Sequence, residues 1–180
     1  MMNGTIQVES EVNKGSKFTV TIFLKLAEGS YEEKRINDRK TGNNNLYERN
    51  QGLYSGKNVL LVEDNERNAE VASELIGITG VNVETADNGK AAVDKFASSE
   101  PGYYGIIFMD IQMPVMNGYD ATKNIRKLER ADAGTVPIIA MTANAFMEDV
   151  EAAQTAGMNE HIAKPLEFDK LTEILKKWLG

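Results

Sequence analysis

The chain has 180 residues, 42% hydrophobic and 26% charged, the balance of a soluble globular protein with one full core and some extra chain. No run approaches the ~18 apolar residues of a membrane helix, the start does not resemble a secretory signal, and the absence of cysteine excludes disulfide frameworks and thiolate metal sites. The net charge of −7 concentrates in residues 57–180, with 20 acidic against 12 basic side chains, which excludes a nonspecific nucleic-acid binder needing clustered Lys and Arg.

The chain reads as three zones in order. Residues 1–27 read as two strands: Thr5-Ile6-Gln7-Val8-Glu9 alternates, Asn13-Lys14-Gly15-Ser16 turns the chain, and Phe18–Leu24 is strongly β-prone. An isolated hairpin is marginal in water, so this zone reads as the remnant of a larger sheet. Residues 28–56 are polar, with one short helix expected near Tyr31–Arg39, and read as a flexible linker.

Residues 57–180 alternate strand and helix. Short apolar runs, Asn58–Val62, Ile106–Met109, Ile138–Met141 and Ile162-Ala163, suit strands of a parallel sheet covered on both faces. Val81–Thr85 alternates, as an edge strand does. Apolar spacings of three and four predict helices through Val71, Ala72, Leu75 and Ile76, through Ala92, Val93 and Phe96, through Ala121, Ile125 and Leu128, and through Leu171, Ile174, Leu175 and Trp178. Asp87 is the expected N-cap of the second helix and Gly157 the stop of the fourth. The pattern predicts an α/β fold, a three-layer doubly wound sheet.

The polar residues that end these runs carry the chemistry. Glu63 and Asp64, Asp110, Thr142 and Lys164 each end a predicted strand, and ligands bind outside the carboxyl ends of such strands. Three carboxylates crowded together gain from a cation, and oxygen ligands without His or Cys suit Mg²⁺, Mn²⁺ or Ca²⁺. Mg²⁺ usually takes one or two carboxylates, which leaves Asp110 as a nucleophile toward a phosphoryl donor. Lys164 would neutralise the transferred group and the Thr142 hydroxyl would hydrogen-bond it. The segment Gly52–Lys57 superficially suggests a P-loop, but it has three residues between its glycines where that loop has four.

With these segments in view, residues 57–180 resemble the receiver domain of two-component response regulators. The resemblance is carried by Val59–Asn65, Met109–Gly118, Pro137–Ala143, Ala156–Met158 and Lys164-Pro165, and it implies a five-stranded flavodoxin-like sheet of order 2-1-3-4-5. It also implies that Asp110 is the phosphoacceptor. Asp64 and Asp110 would ligate Mg²⁺ (Mn²⁺ in its place), Glu63 would act through water, and Gln112 would offer its backbone carbonyl. Thr142 would be the switch hydroxyl, Lys164 the ammonium, and Lys164-Pro165 a cis bond. Where receivers usually carry Tyr or Phe, this chain has His161, either a pH-sensitive switch residue or a half-exposed surface imidazole.

Residues 2–22 are similar to the last two strands of a histidine-kinase ATP-binding domain. That order, catalytic tail, linker, receiver, is the order of a hybrid sensor histidine kinase. The phosphodonor His and the ATP site would then lie upstream, and this chain would catalyse only transfer to its own Asp110. The implied partners are a histidine kinase domain, in cis or in trans, and a histidine phosphotransfer domain. Neither nucleic acid nor membrane contact is expected, and the location would be cytoplasmic, in a parent that is membrane-anchored or not. A phosphorylation-independent docking module is the competing reading. An Asp-nucleophile phosphohydrolase is a third, weakened because Gln112 stands where a second Asp would serve as general acid.

Overall fold

The structure is a computed structural model that describes residues 4–11, 15–22, 52–143 and 147–180. The chain divides into two compact units, Met1–Thr41 and Gly42–Gly180.

In the first unit, β1 (Gly4–Glu11) pairs antiparallel with β2 (Gly15–Ile22), with Ile6 opposite Val20 and Val8 opposite Phe18. Gly15, the first residue of β2, has a φ of 98°, a value that L side chains rarely adopt. Ile6 and Val8 are 70% and 55% exposed, so this ribbon buries little on its own. The helix expected near Tyr31–Arg39 lies outside the described residues.

The second unit alternates strand and helix. Its strands are β3 (Asn58–Val62), β4 (Asn82–Ala86), β5 (Tyr104–Asp110), β6 (Ile138–Thr142) and β7 (Glu160–Ala163). Its helices are α1 (Glu66–Gly77), α2 (Gly89–Ser98), α3 (Gly118–Arg126), α4 (Met147–Ala156) and α5 (Phe168–Leu179). All strand pairs are parallel in the order β4-β3-β5-β6-β7, the expected 2-1-3-4-5 order when counted within the unit.

The apolar runs carry no alternation because both faces are covered. Leu60, Val62, Ile107, Met109, Ile138 and Ala140 pack with Phe96 of α2, Ile125 of α3 and Ala153 of α4. Their neighbours Val59, Leu61, Ile106, Phe108, Ile139 and Met141 pack on the other face with Ile76 of α1 and Leu171, Ile174 and Leu175 of α5. Each fully buried side chain of this size contributes about 1.5–3 kcal/mol, so central strands of this composition cannot slip register without large loss.

Helix starts share a repeated device. Asn65, Asn88 and Asn117 accept hydrogen bonds from the backbone amides of Asn68, Ala91 and Asp120, three residues on. The second helix is therefore capped by Asn88 and not by Asp87. It begins at Gly89, which places the Asn88 oxygen 2.9 Å from the Ala91 amide, while Asp87 accepts from Asn88 Nδ2. Gly157, with φ of 97°, comes directly after the last residue of α4.

One other expectation changes. Val71, on the predicted apolar stripe of α1, is 61% exposed. It lines a groove of about 490 Å³ with Leu75, Met141, Pro165 and Leu166, beside Glu63 and Lys164. Gly52–Gly56 forms a turn in which the Tyr54 amide donates to Thr79 O, and the Tyr54 ring, 7% exposed, joins Ile76 and Val81.

Candidate functional site

The register of the sheet brings the strand ends together. Val62 pairs with Met109 across β3 and β5, Asp110 with Met141 across β5 and β6, and Thr142 with Ala163 across β6 and β7. A polar residue stands at or just beyond each of these pairs, so Glu63, Asp110, Thr142 and Lys164 rise at one edge of one sheet. The Lys164 amide donates to Thr142 O at 2.8 Å, and Lys164-Pro165 is cis, as expected.

One ligand oxygen from each of Glu63, Asp64 and Asp110 lies within 4.8 Å of the others. Glu63 and Asp110 are buried, at 5% and 6% exposure, while Asp64 is exposed toward solvent. Lys164 Nζ stands between the two buried carboxylates, 2.5 Å from Glu63 Oε2 and 2.7 Å from Asp110 Oδ2. The other Asp110 oxygen, Oδ1, accepts from the Gln112 amide at 3.3 Å. The other Glu63 oxygen accepts from Asn68 Nδ2 at 3.2 Å.

Three carboxylates facing one ammonium leave an excess of negative charge. Burial pushes the Asp110 carboxyl above its ordinary range, with Glu63 adding to the rise, against the pull of Lys164 and the Gln112 amide. Burial also disfavours the Lys164 ammonium, but its contacts with Asp110 and Glu63 outweigh this and hold it above the usual lysine value. The cluster thus carries a deficit of positive charge beyond what one lysine supplies. An all-oxygen set with one solvent-facing member suits a hard divalent cation that keeps several waters.

The loop after Asp110 is tightly built. Gly118 donates its amide to Ile111 O at 3.0 Å, and a Cβ on it would overlap the Asp110 carbonyl and press on Met109. Val115, 85% exposed, has φ of 67°, in the left-handed region that a β-branched residue seldom adopts. The Met116 amide donates to Pro114 O at 2.7 Å across it, which closes a tight turn.

The structure therefore brings together Glu63, Asp64, Asp110 and Lys164, with Thr142, 7% exposed, at the next strand end. Gln112 adjoins the cluster through its amide. His161 stands apart: half-buried on β7, it lines a separate cleft of about 430 Å³ with Glu160, Lys170, Ile174 and Lys177. Asn68 escaped the sequence reading, because an Asn in the first turn of a helix gives no sign of what its side chain will reach.

The family model described as "Response regulator receiver domain" matches residues 59–176. The aerobic respiration control sensor protein ArcB of Escherichia coli (strain K12) is 36% identical over 178 residues, 98% of this chain and 21% of ArcB. The chain thus spans about one-fifth of the length of that relative. Among solved structures, the receiver domain of sensor histidine kinase PA1611 from Pseudomonas aeruginosa PAO1 is 40% identical, with a TM-score of 0.63 over 70% of this chain and 99% of that one. Its crystal structure has a magnesium ion coordinated in the active site cleft. The receiver domain of Saccharomyces cerevisiae Ssk1, in co-crystals with the histidine phosphotransfer signaling protein Ypd1, is 29% identical, with a TM-score of 0.61 over 69% of this chain and 90% of that one.

Proposed function

This chain belongs to the response regulator receiver family, and from that premise we propose that Asp110 accepts a phosphoryl group from a phosphohistidine of a partner domain. The observation that carries the reading is the placement of Lys164 Nζ against both Asp110 and Glu63 at the ends of their strands.

The reaction is a displacement at phosphorus. An Asp110 carboxylate oxygen forms the new O–P bond, the P–N bond to the donor imidazole breaks, and the imidazole leaves. Lys164, already within 2.7 Å of Asp110, neutralises charge on the incoming oxygens. Thr142 stands on the adjacent strand, where its hydroxyl can turn to a phosphoryl oxygen. The Gln112 amide holds Asp110 Oδ1, which leaves the carboxylate a fixed direction of attack. Asp64 and Asp110 directly, Glu63 through water and the Gln112 carbonyl would hold Mg²⁺, with Mn²⁺ suited to the same oxygen set, and the ion would offset the negative charge of the carboxylates and the incoming phosphoryl group. His161 lies outside this set; its role as a switch residue would run through β7.

On this reading the phosphodonor docks beside Lys164. The groove lined by Val71, Leu75, Pro165 and Leu166 opens beside Lys164 and exposes apolar surface at the rim of the acidic site. A histidine phosphotransfer domain seated there would present its imidazole to Asp110. In the Ypd1–Ssk1 co-crystal a receiver pairs with such a protein, which supports this choice of partner.

The wider context is a hybrid sensor histidine kinase. Alignment with ArcB runs over 98% of the chain, through residues before the receiver as well as within it. On this reading residues 1–27 are the closing strands of a kinase ATP-binding domain, 28–56 a linker and 57–180 the receiver. Among the described residues no helix is long and apolar enough to cross a membrane, and the receiver would work in the cytoplasm. Incubation with Mg²⁺ and acetyl phosphate, followed by intact mass measurement, tests the reading. One phosphoryl addition, absent from Asp110→Asn, is expected; no addition, or addition that survives the substitution, overturns it.

A further inference from the structure

Glu63 is the most deeply buried carboxylate of the cluster, its side chain 3% exposed, and its two oxygens are held by different partners. Lys164 takes Oε2. Asn68 Nδ2 donates to Oε1 at 3.2 Å. Lys164 already divides its ammonium between Glu63 and Asp110, and a phosphoryl group on Asp110 adds a third acceptor for the same three N–H donors. Asn68 has no such competing acceptor from the reaction. It sits in the first turn of α1, and its backbone amide is fixed by the Asn65 side chain at 3.1 Å.

A single residue therefore closes both ends of the segment that supplies two of the three carboxylates. The side chain of Asn68 reaches back to Glu63, its backbone amide donates to Asn65 Oδ1, and Asp64 lies between Glu63 and Asn65 in the chain. We propose that Asn68 is a positioning residue that holds Glu63 in the orientation in which the cluster takes Mg²⁺, independently of Lys164. This rests on the reading of the cluster as an Mg²⁺ site.

Calorimetric titration of the full chain with Mg²⁺, without phosphodonor, tests it. Asn68→Ala keeps the backbone amide that Asn65 caps but removes the side-chain donor, so the helix start survives. It is expected to weaken Mg²⁺ binding about tenfold, as loss of outer-sphere support for a metal ligand does. Asn68→Gln, which keeps an amide donor, recovers part of the loss. In a Glu63→Ala background Asn68→Ala has no further effect on affinity, because the residue acts through Glu63. Unchanged affinity in Asn68→Ala overturns the proposal, as does an equal loss in the Glu63→Ala background. Failure of the unsubstituted chain to bind Mg²⁺ overturns the metal-site reading itself.

Discussion

Lys164→Met separates the electrostatic role of the ammonium from the packing of its stem. The substitution keeps a long unbranched side chain and removes two charge-assisted hydrogen bonds, to Glu63 Oε2 and Asp110 Oδ2. Each such bond contributes about 1.5–3 kcal/mol, and stripping one partner from a buried ion pair costs about 3–5 kcal/mol. Glu63 and Asp110, with side chains 3% and 9% exposed, would remain as neighbouring carboxylates out of reach of bulk water. Glu63 keeps its Asn68 contact, and Lys164 is itself 22% exposed, which admits some water. The lower end applies, about 3 kcal/mol. For a domain of this size, each kcal/mol moves Tm by about 3–4 °C, so Tm in EDTA is expected to fall by about 10 °C. A ligand at a hundredfold excess over its Kd returns about 2.7 kcal/mol. Saturating Mg²⁺ should therefore recover most of the loss, and raise Tm more in the variant than in the parent, where it enters against the ammonium. Differential scanning calorimetry with and without Mg²⁺ measures both. A variant that melts within about 3 °C of the parent in EDTA, where about 10 °C is expected, or equal Mg²⁺ responses in the two proteins, would refute the reasoning.

The same geometry sets two further outcomes. Asp110 binds its proton more tightly folded than unfolded, so its contribution to stability is present at low pH and is lost as pH rises through its folded pKa. Metal-free Asp110→Asn is therefore expected to be more stable than the parent at pH 8, with the gap closing as pH falls toward the ordinary carboxylate range near about 4; denaturant melts that show the variant less stable at pH 8 contradict this. Gly118→Ala places a methyl group against the Asp110 carbonyl, so a loss of about 1–3 kcal/mol and slower phosphorylation by acetyl phosphate are expected, whereas an unchanged urea midpoint and rate would contradict the packing.

Much of the fold could be read before any coordinates because central parallel strands leave a simple trace. Val59–Val62 and Ile138–Met141 are continuous apolar runs since helices cover both faces, and the first polar residue after each, Glu63 and Thr142, marks the sheet's carboxyl edge. Edges of elements were less legible. Asp87 and Asn88 are both good capping residues, and only the backbone geometry at Gly89 selects Asn88. Val71 satisfies the helical spacing of a core position yet faces the groove, because spacing defines a stripe and the neighbouring β7–α5 connection decides how wide a stripe is covered.

Within the site, residue type and strand position were enough to select Glu63, Asp64, Asp110, Thr142 and Lys164. What they left open was pairing. Nothing in the spacing says that Lys164 would bridge Glu63 and Asp110 together, since that depends on β3 pairing directly with β5, with β4 displaced to the sheet edge, and on a lysine after β7 reaching across β6 to both. The Asn68 contact and the burial of Tyr54 belong to the same class. Each depends on a neighbour supplied by tertiary packing.

A crystal structure of the chain grown with Mg²⁺ and beryllofluoride probes the phosphoacceptor assignment most directly. The account predicts beryllium bonded to an Asp110 carboxylate oxygen, Mg²⁺ touching Asp64 and Asp110, and Lys164 Nζ drawn from Glu63 toward a fluoride. Beryllofluoride absent from Asp110, with Lys164 still bridging Glu63 and Asp110, would contradict it.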